Sequence, residues 1–290
     1  GERKALVLTP AACIPDQVVE DVLAQFQPSL DRRKVRVEWQ RGAAGCCLRG
    51  QLQQPVAGIL AGYRNGESSF KTARDARRSP FHDRLAAQGA YFIETSGWES
   101  PAWYAGAGKV ADPGPDTWGR PAWWPRWAAE HRAARENVIL MDMSFMGKFV
   151  VQGRDAGQCL NRISANNVDG AAGEITYTQW LNTEGRLEAD LTVTKLADDR
   201  FFVVVTDTMV RHAETWMKRN ITDDAHAFVT DVTSGYGQLN VQGPRSRELL
   251  QKLTSVDLSN EAFPFRAARE IDIGFARVLC IRITYLGELG

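Results

Sequence analysis

Ile175-Thr176-Tyr177-Thr178-Gln179-Trp180-Leu181-Asn182, Thr183-Glu184-Gly185, and then Arg186-Leu187-Glu188-Ala189-Asp190-Leu191-Thr192-Val193-Thr194-Lys195-Leu196 form the passage on which the fold turns. Two alternating runs flank Asn182-Thr183-Glu184-Gly185, which supplies turn chemistry, so residues 175–182 and 186–196 are expected to pair as an antiparallel hairpin. In the second arm, alternation puts Leu187, Ala189, Leu191 and Val193 on one face and Glu188, Asp190, Thr192 and Thr194 on the other. Two carboxylates and two hydroxyls therefore share a face. The solvated outside of a half-buried sheet accounts for that pattern by itself. Asp is nevertheless disfavoured within strands, which leaves a functional explanation open for Asp190.

Working outward, residues 138–141 and 148–152 read as strands, and 155–165 as a helix with Cys159, Leu160 and Ile163 on one face. Beyond the hairpin come a strand at 201–206, a helix at 208–219 and short strands at 228–232 and 238–241. Gly243-Pro244 opens a helix over 245–253, with Pro in a tolerated first-turn position. Two last strands, 270–273 and 276–285, flank Gly274. Antiparallel strands with interspersed helices, without strict βαβ alternation, predict an α+β fold.

Towards the N-terminus the signal thins. Helical spacing begins near Trp127, so residues 127–290 are read as one domain. Before it, Trp98, Trp103, Trp118, Trp123, Trp124 and Trp127 crowd among Pro and Gly after a short helical stretch at 81–88. Aromatic rings give a nonregular segment area to bury, so 66–126 reads as a connector docking on a neighbour; completion of the local core explains the rings equally well. Residues 1–65, with an apolar run at 5–8 and a helix expected at 15–26, remain unassigned. The Gly42–Cys47 patch lacks the Lys of a phosphate loop and any GxGxxG spacing.

Charge narrows the partners. Thirty-five basic residues balance thirty-five acidic ones, and no apolar run is long enough to span a membrane, so neither nucleic acid nor a bilayer is expected. With 44% hydrophobic residues in 290, the chain can bury a sizeable core. Its five cysteines have neither zinc nor redox spacing, which points to reduced thiols, and no metal is expected. The start carries no secretory pattern. His82, His131, His212 and His226 have no nucleophile motif beside them and no metal spacing, and are read as structural. At the far end Tyr285-Leu286-Gly287-Glu288 presents a Gly-flanked acid, readable as a ligand-binding carboxylate or as an ordinary turn with an exposed Glu.

Several runs together resemble the glycine-cleavage T-protein superfamily of tetrahydrofolate-binding aminomethyltransferases. They are Met141-Asp142-Met143-Ser144-Phe145-Met146-Gly147-Lys148-Phe149, Tyr177 to Asn182, Glu188 to Val193, Val241-Gln242-Gly243-Pro244-Arg245-Ser246-Arg247 and Tyr285 to Glu288, in the family's order. Arg77-Arg78-Ser79-Pro80-Phe81-His82-Asp83-Arg84-Leu85, Gly97-Trp98-Glu99 and Asp257 to Phe265 bring the similarity closest to the C-terminal region of dimethylglycine and sarcosine dehydrogenases. It covers about 71–290. Residues 1–65 do not resemble the flavin domain that precedes this region in the family, and the family's domain continues past Glu288, so a fragment is expected.

The resemblance implies a T-protein-like folate-binding domain, incomplete at its C-terminus. An upstream FAD domain or subunit would oxidise an N-methyl amine to an iminium, and tetrahydrofolate would capture the carbon as 5,10-methylenetetrahydrofolate. Asp190 would orient the folate amine and accept its proton. Glu288 would take the paired pterin N–H groups in a fork, Met146, Tyr177 and Tyr285 would wall the ring, and Glu188 would border the cavity. The T-protein itself usually has paired Asp where this chain has Ala189-Asp190, so the role passes to Asp190 alone. A noncatalytic folate-binding regulatory or assembly protein of the same superfamily is the alternative, and a methyltransferase acting on sulfur or oxygen compounds a more distant one. The implied location is cytoplasmic, or the mitochondrial matrix in a eukaryote.

Overall fold

The computed structural model describes residues 5–8, 36–39, 74–115 and 117–284. The chain divides into two compact units, Gly1–Lys71 and Thr72–Gly290. In the first, strand β1 (Ala5–Leu8) pairs in parallel with β2 (Arg36–Trp39), Ala5 opposite Arg36. The helix expected at 15–26 and the Gly42–Cys47 patch lie outside the described residues.

The second unit is built on a five-stranded antiparallel sheet. Its strands are β6 (Gly147–Gln152), β7 (Glu174–Leu181), β8 (Leu187–Ala197), β9 (Arg200–Val205) and β10 (Phe228–Asp231), in the order β10-β6-β9-β8-β7. Two helices, α3 (Ala156–Ile163) and α4 (Val210–Asn220), cover one face. There Phe149, Val151, Trp180, Leu191, Val193 and Val203 meet Leu160, Ile163, Ala213 and Met217 in the principal core. The α+β expectation holds: among the described residues every ladder of this unit is antiparallel and the helices lie between strands in the chain.

Three two-stranded pieces complete the unit. Strands β5 (Ile139–Asp142) and β11 (Leu239–Gln242) pair antiparallel, as do β12 (Ala268–Ile273) and β13 (Ala276–Ile281), the latter over a second cluster of Leu258, Phe263, Ala267 and Ile271. The third lies where the sequence reads a nonregular connector: after α1 (His82–Ala87), β3 (Ala90–Thr95) pairs with β4 (Trp98–Tyr104). Ser96 and Gly97, at φ 50° and 84°, form the two-residue loop, and two successive positive φ values are what a tight hairpin turn requires. A long helix, α2 (Trp124–Glu136), leads from this hairpin into β5.

One local device occurs twice. Gly153 follows β6 ahead of α3, and Gly243 follows β11 ahead of α5 (Ser246–Gln251), with φ of 133° and 121°. A Cβ would lie 2.0 Å from the His226 carbonyl oxygen at Gly153 and 2.4 Å from that of Asn137 at Gly243. Those two carbonyls accept from the backbone N–H of Asp155 at 3.3 Å and of Arg245 at 3.0 Å. Only glycine lets the strand turn this closely into a helix while the passing carbonyl is satisfied.

Candidate functional site

The site grows from the β7–β8 hairpin. Asn182 closes its turn: Oδ1 accepts from the backbone N–H groups of Glu184 and Arg186, both at 3.0 Å, and Gly185 takes the left-handed φ of 73°. Pairing then runs Gln179 with Asp190, Tyr177 with Thr192 and Ile175 with Thr194. Asp190 therefore stands exposed on the face opposite the core, beside Tyr177 and Gln179. Tyr177 Oη donates to Asp190 Oδ2 at 2.8 Å and Gln179 Nε2 to Oδ1 at 3.2 Å. Each carboxylate oxygen is thus held and keeps further accepting capacity. The Tyr177 side is open, with that residue 47% exposed.

Glu188 departs from the expected alternation. A β-bulge falls between the pairs Trp180–Ala189 and Leu181–Leu187, so Glu188 is an extra residue and strict alternation fails there. Its Oε1 accepts from Asn182 Nδ2 at 3.0 Å, and its Oε2 lies 2.9 Å from Nε2 of His212 on α4, the helix that packs on the core face. The two acids of the strand therefore do not share a face. Leu187, expected among the apolar residues, is 63% exposed for the same reason. The bulge also sets Gln179 opposite Asp190, a neighbour that an unbulged count from the turn would miss.

Met146 sits half-buried where β6 begins. The ladder Gly147–Val205–Leu191 follows it on β6 and follows Asp190 on β8, so the two residues stand at the same end of the sheet with β9 between. Two strand spacings put their backbones about 10 Å apart. Behind Met146 lies a buried polar network. Asp142 Oδ1 accepts from Ser144 N at 3.0 Å and Ser144 Oγ at 2.6 Å, Ser79 Oγ donates to Asp142 Oδ2, and Ser144 Oγ accepts from Gln238 N at 3.0 Å. Lys148 Nζ donates to the carbonyls of Ser144 at 3.0 Å and Met146 at 2.8 Å. Burial pushes its ammonium down to about 8, with Asp142 opposing. Sequence reading passed over this lysine, since a cation on an alternating strand looks like surface.

Tyr285 and Glu288 lie outside the described residues. Cys159 and Cys280 are free thiols raised by burial, which suits packing rather than attack. Among the described residues there is no group of acids, histidines and cysteines placed for a metal, and no helix long and apolar enough to cross a membrane. A crevice of about 420 Å³ opens at the far end of the same sheet face, between Phe202, Tyr236 and the β12–β13 pair; Asp190 is not part of it. The arrangement around Asp190 offers an oriented acceptor and an aromatic ring; across β9 stands Met146, whose Sδ lies 3.7 Å from Gln238 Nε2. That suits a flat ring bearing N–H donors.

Residues 81–290 match the family described as GCVT N-terminal domain. The chain is 38% identical over 222 residues to a 4-methylaminobutanoate oxidase (formaldehyde-forming) of Paenarthrobacter nicotinovorans, covering 76% of this chain and 27% of that one. It is 30% identical to the mitochondrial pyruvate dehydrogenase phosphatase regulatory subunit of Mus musculus, over 76% of this chain and 26% of the relative. To the mitochondrial dimethylglycine dehydrogenase of the same organism it is 33% identical, over 67% and 22%. The chain thus spans about a quarter of the length of these relatives. A glycine cleavage system aminomethyltransferase T from Bartonella henselae shares the fold, with a TM-score of 0.58 at 20% identity over 74% of this chain and 52% of that one.

Proposed function

The chain belongs to the GCVT N-terminal domain family, and from that premise we propose that it is the folate-binding part of an amine-oxidising enzyme of the dimethylglycine and sarcosine dehydrogenase type. In this reading the one-carbon unit of an N-methyl amine passes to tetrahydrofolate, and a flavin-bearing domain or subunit carries out the oxidation. The observation that carries the reading is Asp190, a strand carboxylate fixed on both oxygens by Tyr177 and Gln179 yet open to solvent on the face away from the core.

The residues fit the group. When bound, tetrahydrofolate supplies the nucleophilic nitrogen that takes up the one-carbon unit. Asp190 orients an N–H donor and accepts its proton, a task for which a pre-positioned carboxylate needs no rearrangement. Tyr177 would offer its ring and Met146 its thioether as walls, and the family resemblance assigns the same role to Tyr285. Glu288, on the strength of the family resemblance, would take two adjacent N–H groups in a charge-assisted fork. Glu188, engaged with Asn182 and His212, steadies the hairpin and its helix rather than meeting the ligand.

A second reading, a folate-binding regulatory or assembly protein without transfer, draws support from the regulatory subunit among the relatives. One experiment separates them: tetrahydrofolate is titrated into the intact protein by calorimetry, and methylenetetrahydrofolate is then assayed during turnover of N-methyl amines. Binding with product formation is expected. Binding without product would move the chain to the regulatory reading, and no binding would remove folate from both.

A further inference from the structure

Lys148 lies on the same sheet face as Asp190, in register with Val204, which in turn faces Thr192 on β8. It is 1% exposed. Its side chain curls back beneath the turn that precedes β6, with Nζ 2.8 Å from the Met146 carbonyl oxygen and 3.0 Å from that of Ser144. It forms no ion pair among the described residues, and Asp142 gives its oxygens to Ser79 and Ser144 instead. A buried ammonium whose direct hydrogen bonds go to carbonyls is a costly way to close a turn, because an apolar side chain would fill the same space without desolvating a charge. The two carbonyls it holds belong to the turn that carries Met146.

Resting on the reading of this face as the folate site, we propose that Lys148 is a positioning residue: its ammonium clamps the carbonyls of Ser144 and Met146 and so holds the Met146 side chain as one wall of the site. The charges facing it come from three directions: Asp142 on β5 and Asp231 at the end of β10 support the ammonium, and Arg77, ahead of α1, opposes it. Burial outweighs them and sets its titration near 8, against 10.5 for a free lysine.

Two consequences of opposite sign follow. The folded state binds fewer protons than the unfolded chain between about 8 and 10.5, so this residue's burial penalty is fully present below 8 and fades as pH rises. Stability therefore increases through that window. The clamp behaves in reverse. A neutral amine has two N–H donors and no charge, and its hydrogen bonds are roughly half as strong as those of the ammonium, so the Met146 turn loosens and folate affinity falls. A purely structural lysine would move only the first quantity.

The test is a tetrahydrofolate titration of the intact protein from pH 7 to 9, with denaturation measured in parallel, on wild type, Lys148→Met and Lys148→Arg, and with amide exchange followed at 143–147. Wild-type affinity should fall by up to about tenfold across that range while stability rises, the ceiling for one proton titrating near 8. Lys148→Met should bind at least about tenfold more weakly at pH 7, without the pH slope, as expected for losing charge-assisted bonds. Lys148→Arg should recover part of the loss, and exchange at 143–147 should speed up in Lys148→Met while β9 stays protected. A flat wild-type profile, or a Lys148→Met protein that binds as wild type, would overturn the proposal. Should Lys148→Met not fold, the wild-type profile and Lys148→Arg decide it. If no form binds folate, the folate reading fails on its own, and unchanged exchange at 143–147 would sink the clamp as well.

Discussion

The two faces of β8 obey different rules. On the core face Ala189, Leu191 and Val193 are buried in a cluster with residues from β6, β7, β9, α3 and α4, and their identities follow from period-two alternation against a helical cover. On the opposite face Asp190 is open, and its neighbours are set by register and by a bulge rather than by hydrophobicity. One strand thus has a side that the pattern of apolar residues dictates and a side that the turn dictates. Substitutions on the first should be felt as folding, and on the second as chemistry.

The largest expected effect therefore lies in the core. Trp180 is 0% exposed, and its Nε1 donates to Ser164 Oγ at 3.1 Å. Trp180→Ala leaves a large cavity and strands that hydroxyl, so urea denaturation should show a loss of about 3–5 kcal/mol. A loss below about 1 kcal/mol would break the contrast, since the core face would then tolerate what only a surface tolerates.

What the sequence disclosed follows the same division. The hairpin, the helix with Leu160 and Ile163 inward and the α+β order were all legible, because each rests on local periodicity and turn residues. The β3–β4 hairpin was not: Ser96 adopts a left-handed φ that only its neighbour Gly97 hints at, and the crowd of tryptophans drew the reading towards an irregular segment. Glu188 was misplaced because a bulge has no signature in alternation. Lys148 was invisible as a buried group, since its compensation comes from two backbone carbonyls that no side-chain pattern announces. Asp190 stood out because Asp is disfavoured within strands, and the structure places it exposed mid-strand between Tyr177 and Gln179.

An intermediate effect sharpens the comparison between the acids. Glu288→Gln should weaken tetrahydrofolate binding by about 1.5–3 kcal/mol, roughly ten to a hundredfold, because an amide accepts at one atom and presents donors to the pterin's donors. Glu188→Gln should weaken it by less, since Asn182 and His212 already occupy that carboxylate. Calorimetry on the intact protein reads both. Equal losses would mean that the pterin anchor is not Glu288.

Asp190 lies at the bottom of the stability scale and at the centre of the account. Asp190→Asn preserves shape on an exposed site, so denaturation should shift by no more than about 0.5 kcal/mol. The decisive measurement is the rate of methylenetetrahydrofolate formation by the intact Asp190→Asn protein, taken beside the rate of flavin reduction by the amine. Loss of the proton acceptor should lower the first by about 10²–10⁴-fold and leave the second unchanged. Methylene transfer at the wild-type rate would contradict the account and return Asp190 to the solvated face of an ordinary sheet.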